Sequence, residues 1–282
     1  MVRVVVFGGT GTVGRAVVAE AVSRGHSVVS VSRHRPRPGD ADHVAGVEYH
    51  ACDLYNSTTA QLDAIVAGSD AIVDSLDGVS TVAQAIFRIG AQQIADAAER
   101  ASVSRVVLVS SVGCDQSTAE YFAAKTDQEG LYLDSSAPVT VVRFTVLFDM
   151  LHDFALRAAK WRIIPTSSRA RFQPMNAHDV ATVIVDALGD TGDDRVVSIG
   201  GPQIATAREL TALWLRKTGR SAVMIPVPLF TAMGRYLRFG SNLVPDARVG
   251  TETFNEWLTA HSATRASAGR ACPNGNHAPS AA

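Results

Sequence analysis

Tyr121 and Lys125 stand at the two ends of the run Tyr-Phe-Ala-Ala-Lys, a spacing that brings two side chains to one face of a helix. An ammonium ion near a phenol favours the phenolate, so the phenol's pKa is expected to fall. Such a phenol can give a proton to a carbonyl oxygen, or take one from an alcohol, while a hydride moves at the adjoining carbon. Ser110 and Ser111 end an apolar run upstream, and the Ser111 hydroxyl there would hold the reacting oxygen. Lys125 could also hold a nicotinamide ribose. The same residues admit a plainer account, in which Tyr121 packs in the interior and Lys125 is solvated or serves a cofactor alone.

A second group lies near the N-terminus. Gly8-Gly9-Thr10-Gly11-Thr12-Val13-Gly14 follows a β-branched run and precedes a helical pattern. Gly8 permits a tight turn, Gly11 lets backbone approach a pyrophosphate, and Gly14 lets the helix pack close to the sheet. Around Thr10, Thr12 and Val13, the free N–H groups and dipole of the helix start favour phosphate. The end of the second strand then bears on which dinucleotide is held. NAD sites place an acidic residue there, whereas this chain has Ser32-Arg33-His34-Arg35. A guanidinium on Arg33, helped by Arg35, can pair with a 2′-phosphate in a bidentate fork and stack on adenine. NADP is therefore expected over NAD, with a solvated turn as the alternative. Asp53 and Leu54, after a short third strand, sit where such folds bracket the adenine. Ser75 opens the loop after the fourth strand.

These groups need a scaffold that gathers loop ends. Residues 2–7 read as a strand buried on both faces, as in a parallel sheet. Val13, Ala16, Val17, Ala21 and Val22 then keep helical spacing until Gly25, and residues 26–32 form a second strand. The alternation continues with helices at 59–67, 82–100 and 121–132 and strands at 71–74, 105–109 and 139–144. This rhythm specifies an α/β fold with a Rossmann-type, doubly wound parallel sheet. Ligands of such sheets bind at the carboxyl ends of the strands, where strand order reverses. Function is accordingly expected in the loops after Phe7, Ser32, Asp74, Val109 and Phe144.

Residues 1–149 are expected to be the dinucleotide-binding core. Residues 150–260 are expected to form a small C-terminal substrate lobe with late elements returning to the core: helices at 151–159, 180–188 and 206–218, and a strand at 195–199. Residues 261–282 are small and polar enough to be expected as a disordered tail. Phe154, Trp161 and Phe172 fit either a pocket wall or a core. The apolar stretch 224–239, with Arg235 and Arg238, fits either a pocket cover or a dimer surface.

Composition excludes several classes. The net charge is −1, and no basic stripe marks a general nucleic-acid binder. Cys52, Cys114 and Cys272 are odd in number and widely spaced, which suits neither a disulfide framework nor a zinc site. His43, His50, Cys52 and Asp53 fit no closed metal site, so no metal is expected. There is no apolar run of membrane-spanning length and no signal-peptide pattern. A cytoplasmic protein with a small-molecule substrate, and without nucleic-acid or membrane partners, is expected; a homo-oligomer stays open.

The glycine spacing G-x-x-G-x-x-G resembles that of extended and atypical short-chain dehydrogenases/reductases. Further likeness comes from Val109-Ser110-Ser111-Val112-Gly113, Tyr121 with Lys125, residues 141–145 (Val-Val-Arg-Phe-Thr) and residues 172–181 (Phe-Gln-Pro-Met-Asn-Ala-His-Asp-Val-Ala). Together these resemble the atypical group that includes the NmrA-like NAD(P)H-binding proteins, over residues 1–260. The separation of Ser111 and Tyr121 is shorter than in standard members. The resemblance implies either a reductase of quinones or other carbonyls, or a cofactor-binding sensor without turnover. A nucleotide-sugar epimerase or dehydratase shares the glycine loop, but the short second lobe argues against it.

Overall fold

The structure is a computed structural model that describes residues 1–189 and 195–268. In chain order its elements are β1 (Arg3–Phe7), α1 (Thr12–Ser23), β2 (Ser27–Ser32), β3 (Glu48–Ala51), α2 (Thr59–Val66), β4 (Ala71–Asp74), α3 (Thr81–Arg100), β5 (Arg105–Ser111), α4 (Glu120–Leu133) and β6 (Val139–Phe144). There follow α5 (Phe148–Ala159), β7 (Ile163–Thr166), β8 (Arg171–Phe172), α6 (Ala177–Ala187), β9 (Val196–Ile199), β10 (Ala205–Thr206), α7 (Ala207–Thr218), β11 (Val223–Pro226), α8 (Ala232–Phe239) and α9 (Phe254–Ala268).

Seven parallel strands in the order β3-β2-β1-β4-β5-β6-β9 form the central sheet. The middle strands are β-branched runs because both faces are covered by helices. Val5, Ile72 and Leu108 face Leu62 of α2, Ile94 of α3 and Tyr132 of α4. Val4, Val6 and Val107 face Val17 and Val18 of α1 and Val180 and Ile184 of α6. Thus α6 and β9, which follow residue 149, complete the sheet and one of its helical layers. A separate cluster of Phe148, Ile164, Trp214, Phe254, Trp257 and Leu258 joins α5, β7, α7 and α9.

Strand order reverses between β1 and β4, which lie side by side although α1, β2, β3 and α2 intervene in sequence. The carboxyl ends of β1, β2, β4 and β5 therefore surround one crevice. Two boundaries differ from the sequence reading in ways that matter there. β5 runs two residues past Val109, because Ser110 and Ser111 pair with Arg143 and Phe144 of β6; an apolar pattern does not register serines that ladder hydrogen bonds hold. α5 begins at Phe148 rather than at 151, and its N-cap, Leu147, has no side-chain acceptor to announce the start. Asn176 caps α6, accepting from the His178 N–H at 2.9 Å. α9 extends to Ala268, so the segment read as a tail starts as helix, while residues 269–282, with Cys272, lie outside the described residues. Among the described residues no helix is long and apolar enough to cross a membrane, and no cluster of potential ligands could hold a metal ion.

Helix α1 reaches the sheet only because position 14 lacks a Cβ. One placed there would lie 2.1 Å from the Gly8 carbonyl oxygen and 2.7 Å from Ser75 Oγ. Both neighbours are held, since Ser75 Oγ donates to the Phe7 carbonyl at 2.7 Å. Gly14→Ala should therefore push α1 outward and cost about 1–3 kcal/mol, as overpacking does. Urea denaturation would report this as a lower midpoint at unchanged slope; an unchanged midpoint would show that the turn yields freely.

Candidate functional site

A cleft of about 800 Å³ lies at the carboxyl ends of the strands, within the size range of cofactor sites. Its floor is the glycine loop. Gly8 has φ +78°, and a Cβ there would lie 2.8 Å from the Ser75 carbonyl oxygen, so glycine is required twice over. The Gly11 N–H donates to the Gly8 carbonyl at 2.9 Å, closing the turn. Gly11 is also the N-cap of α1, with no side-chain acceptor and no acidic residue in the first turn. The N–H groups of that turn and the positive end of the helix dipole are left for an anion. Thr10, Thr12 and Val13 line the same cleft.

Ser32, at the end of β2, serves the loop: its Oγ accepts from the Thr10 N–H at 3.1 Å and lies 2.9 Å from Thr10 Oγ1. The next residues, Arg33 and Arg35, are exposed, line the cleft and take part in no ion pair among the described residues. Asp53, Leu54 and Ser75 line it too. Gly14 is the one candidate cofactor residue outside the lining, and it acts through the close packing described above.

At the other end stand Ser111, Tyr121 and Lys125, all in the lining. Despite their short separation in sequence, Ser111 Oγ and the Tyr121 hydroxyl are 3.5 Å apart, because β5 delivers Ser111 to the sheet edge. The phenol donates to Asp77 Oδ1 at 3.0 Å, and its ring meets Phe87 edge-on at a centroid distance of 6.2 Å. Lys125 is buried. Its Nζ donates to the carbonyls of Leu76 at 2.9 Å and Val109 at 3.3 Å and to Gln128 Oε1 at 3.1 Å, and it lies 4.3 Å from the Phe87 ring centroid.

These contacts reverse the expected electrostatics. Burial raises the Tyr121 pKa above its ordinary value, and the neighbouring Asp77 carboxylate raises it further. Burial lowers the Lys125 pKa, opposed by Asp77 and Asp74. The phenol is held in its acid form, and the lysine bonds to backbone carbonyls rather than to the phenol. Behind the lysine, Gln128 Nε2 and the Tyr132 hydroxyl both donate to Asp74 Oδ2 at 2.9 Å, and the Leu76 N–H donates to Asp74 Oδ1 at 2.9 Å. Burial raises the Asp74 pKa.

Sequence reasoning missed Asp77, Phe87, Gln128 and Asp74. Only Asp74 and Asp77 carried a signal, as acidic residues flanking a loop already expected to be functional. Of the conspicuous segments, Arg143 in residues 141–145 makes a bidentate pair with Glu129 of α4, Nε to Oε1 at 2.9 Å. Gln173 is buried and bonds Gly201 and Val244, its Nε2 donating to the Gly201 carbonyl at 2.9 Å and its Oε1 accepting from the Val244 N–H at 2.8 Å. Arg143 and Gln173 brace the site from outside the cleft, which Phe144 of the first segment lines. An open helix N-terminus, a loop with no room for side chains and a row of unpaired arginines together fit a nicotinamide dinucleotide.

Comparison with known proteins agrees. A family model described as NAD(P)H-binding matches residues 8–191. A mitochondrial NADH dehydrogenase [ubiquinone] 1 alpha subcomplex subunit 9 of Arabidopsis thaliana is 25% identical over 274 residues, covering 89% of this chain and 67% of its own length. A (4-alkanoyl-5-oxo-2,5-dihydrofuran-3-yl)methyl phosphate reductase of Streptomyces griseus is 28% identical over 221 residues, covering 77% of this chain and 74% of its own. Other curated relatives are longer: this chain spans 62% of a Neurospora crassa NADH-ubiquinone oxidoreductase 40 kDa subunit and 61% of a rice divinyl chlorophyllide a 8-vinyl-reductase. Among solved structures, MoeE5 in complex with UDP-glucose and NAD superposes with TM-score 0.73 at 19% identity, over 94% of this chain and 99% of that one. The Bordetella bronchiseptica enzyme WbmG in complex with NAD gives TM-score 0.72 at 15% identity, over 95% of each chain; both likenesses speak to the fold. With the glycine loop, the sheet order and the match over most of the chain in agreement, the protein belongs to the NAD(P)H-binding family of atypical short-chain dehydrogenases/reductases, in its NmrA-like group.

Proposed function

We propose that this chain is an NADPH-dependent reductase of a small carbonyl or quinone substrate, with Tyr121 as the proton donor. The observation that carries the reading is the Tyr121 hydroxyl, 3.5 Å from Ser111 Oγ in the same cleft as the glycine loop. Gly8, Gly11 and the first turn of α1 would hold the pyrophosphate, and Arg33 with Arg35 the 2′-phosphate. Asp53 and Leu54 would bracket the adenine, with Ser75 beside the glycine loop. When bound, the reduced dinucleotide supplies hydride. Tyr121 gives its proton to the substrate oxygen as that oxygen gains negative charge, and Ser111 donates a hydrogen bond to the same oxygen. Lys125 keeps the loop carrying Asp77 in place, and Phe87 with Val82, Ile86 and Met150 gives the cleft apolar walls suited to an uncharged substrate. The lobe formed after residue 149 supplies Met150 to that wall.

A second reading, a sensor that binds NADP(H) without turnover, draws on one observation. Lys125 and Tyr121 already have partners within the chain, so the site is complete as a binding pocket. Binding of NADPH with no oxidation across a broad carbonyl and quinone panel would select it.

Cofactor choice has a direct test. A charge-assisted pair contributes about 1.5–3 kcal/mol, so NADPH should bind on the order of tenfold to a hundredfold more tightly than NADH. Arg33→Ala should erase most of that difference while leaving NADH affinity nearly unchanged, as read by calorimetry. Equal affinities in the unmodified protein would rule out NADP as the preferred cofactor.

Tyr121→Phe should lower kcat on an accepted substrate by about 10²–10⁴-fold, the usual contribution of a positioned acid, with cofactor affinity retained. Full turnover in that variant would assign the proton to another group. Because the phenol pKa is raised, its acid form persists through the neutral range, so reduction should run at a constant kcat from about pH 6 to about pH 9. A fall in kcat with a midpoint inside that window would mean that the titrating group is not this tyrosine.

A further inference from the structure

Several of the exposed apolar residues that line neither core nor cleft lie on or beside the small sheet of β7 and β11. These strands run parallel, with Ile163 opposite Val223 and Pro165 opposite Ile225. Between them in sequence, Ile164 points inward and is fully buried in the cluster with Trp214 and Phe148. The opposite face, carrying Ile163, Val223 and Ile225, is open. The ladder continues outward, since the Val227 N–H donates to the Thr166 carbonyl at 3.0 Å. At its ends stand Trp161, 83% exposed, and Phe230, 75% exposed. Phe239, at the end of α8, is 71% exposed. Patches of this kind on soluble domains mark interaction surfaces. None of these residues lines the cleft.

The chain segments that lead into and out of β7 and β11 are one-sided in charge. Residues 154–172 carry Arg157, Lys160, Arg162, Arg169 and Arg171; residues 210–245 carry Arg216, Lys217, Arg220, Arg235 and Arg238. The two stretches hold ten of the 26 Lys and Arg residues and none of the 27 Asp and Glu residues. All ten are exposed, and none is in an ion pair among the described residues. Elsewhere the chain is net acidic, as its overall charge of −1 requires. Residues 269–282 have no large apolar side chain with which to cover the face.

We propose that the β7–β11 face, with Trp161 and Phe230 at its ends, docks this protein on an anionic lipid bilayer. Tryptophan favours the interface because its ring is apolar and its N–H polar. Arginine and lysine stems pack along the apolar row while their charged heads reach lipid phosphates. The expectation of no membrane partner rested on the lack of a spanning run, which a peripheral surface does not need. A second copy of the chain is the competing occupant, but it would bring two like-charged, cation-rich segments together. The surface is independent of the proposed chemistry, and its test uses no substrate.

The three tryptophans make that test clean. Trp214 and Trp257 are 1% and 4% exposed, so any change in emission on shallow insertion belongs to Trp161. The full chain, mixed with phosphatidylcholine vesicles that contain phosphatidylglycerol, should co-sediment and shift its emission to the blue; pure phosphatidylcholine vesicles should do neither. High salt should release it. Each cation removed should weaken partitioning about fivefold, so Arg157→Gln with Lys160→Gln should weaken it by about 25-fold. Trp161→Ser should abolish the blue shift, with the emission of the two buried tryptophans reporting that the fold persists. The proposal is overturned if neither vesicle binds, if both bind equally, or if the protein forms a dimer that Trp161→Ser dissolves and vesicles do not compete away.

Discussion

The ammonium group of Lys125 has been taken out of water, and the acceptors that replace water shape the whole site. Burying an unpaired ammonium costs several kcal/mol, so its donors must all be used. They reach the Leu76 carbonyl, the Val109 carbonyl and Gln128, while the Phe87 ring face lies 4.3 Å away. Those partners belong to the loop after β4, to β5, to α4 and to α3. One cation thus ties four segments together at the carboxyl edge of the sheet. Because Leu76 is held, Asp77 stands within hydrogen-bond distance of Tyr121. The lysine acts on the tyrosine through this loop, by geometry, and the carboxylate it brings up favours the neutral phenol.

The same loop supports the cofactor half of the cleft. Ser75 bonds back to Phe7 through both its N–H, at 2.9 Å, and its hydroxyl, at 2.7 Å. It also presses against the places where Gly8 and Gly14 lack a Cβ. A shift of the β4 loop would therefore move the glycine turn and the Asp77–Tyr121 pair together. Asp74, at the end of β4, anchors this joint from beneath with three donors. A carboxyl group fully enclosed in this way tolerates few substitutions, since each donor left without its acceptor would be stranded in the core.

Electrostatics divides the molecule differently from its fold. Residues 154–172 and 210–245 hold ten cations and no acidic residue, while the rest of the chain carries the acidic excess. Lysines and arginines gain little as solvated charges on a face that also exposes tryptophan and phenylalanine, and an apolar face costs solubility. Met150, at the start of α5, is the part of this region that reaches the cleft wall.

The doubly wound sheet was legible in the chain because its strands are continuous β-branched runs and its helices repeat at helical spacing, both local properties. The glycine turn was legible for the same reason: its backbone conformation and close packing are requirements on single residues. Tyr121 and Lys125 could be placed on one helix face, since four residues make about one turn. Their electrostatics could not be read, because Asp77 lies 44 residues before Tyr121 and Leu76 lies 49 before Lys125. Likewise, the role of Ser111 depended on pairing with β6, and the exposure of Trp161 depended on β7 lying against β11 rather than in the central sheet. Residue types and periodicity state what each segment needs to bury; which charges then face one another is settled when distant segments pack, because a pKa depends on neighbours in space and on the water they exclude.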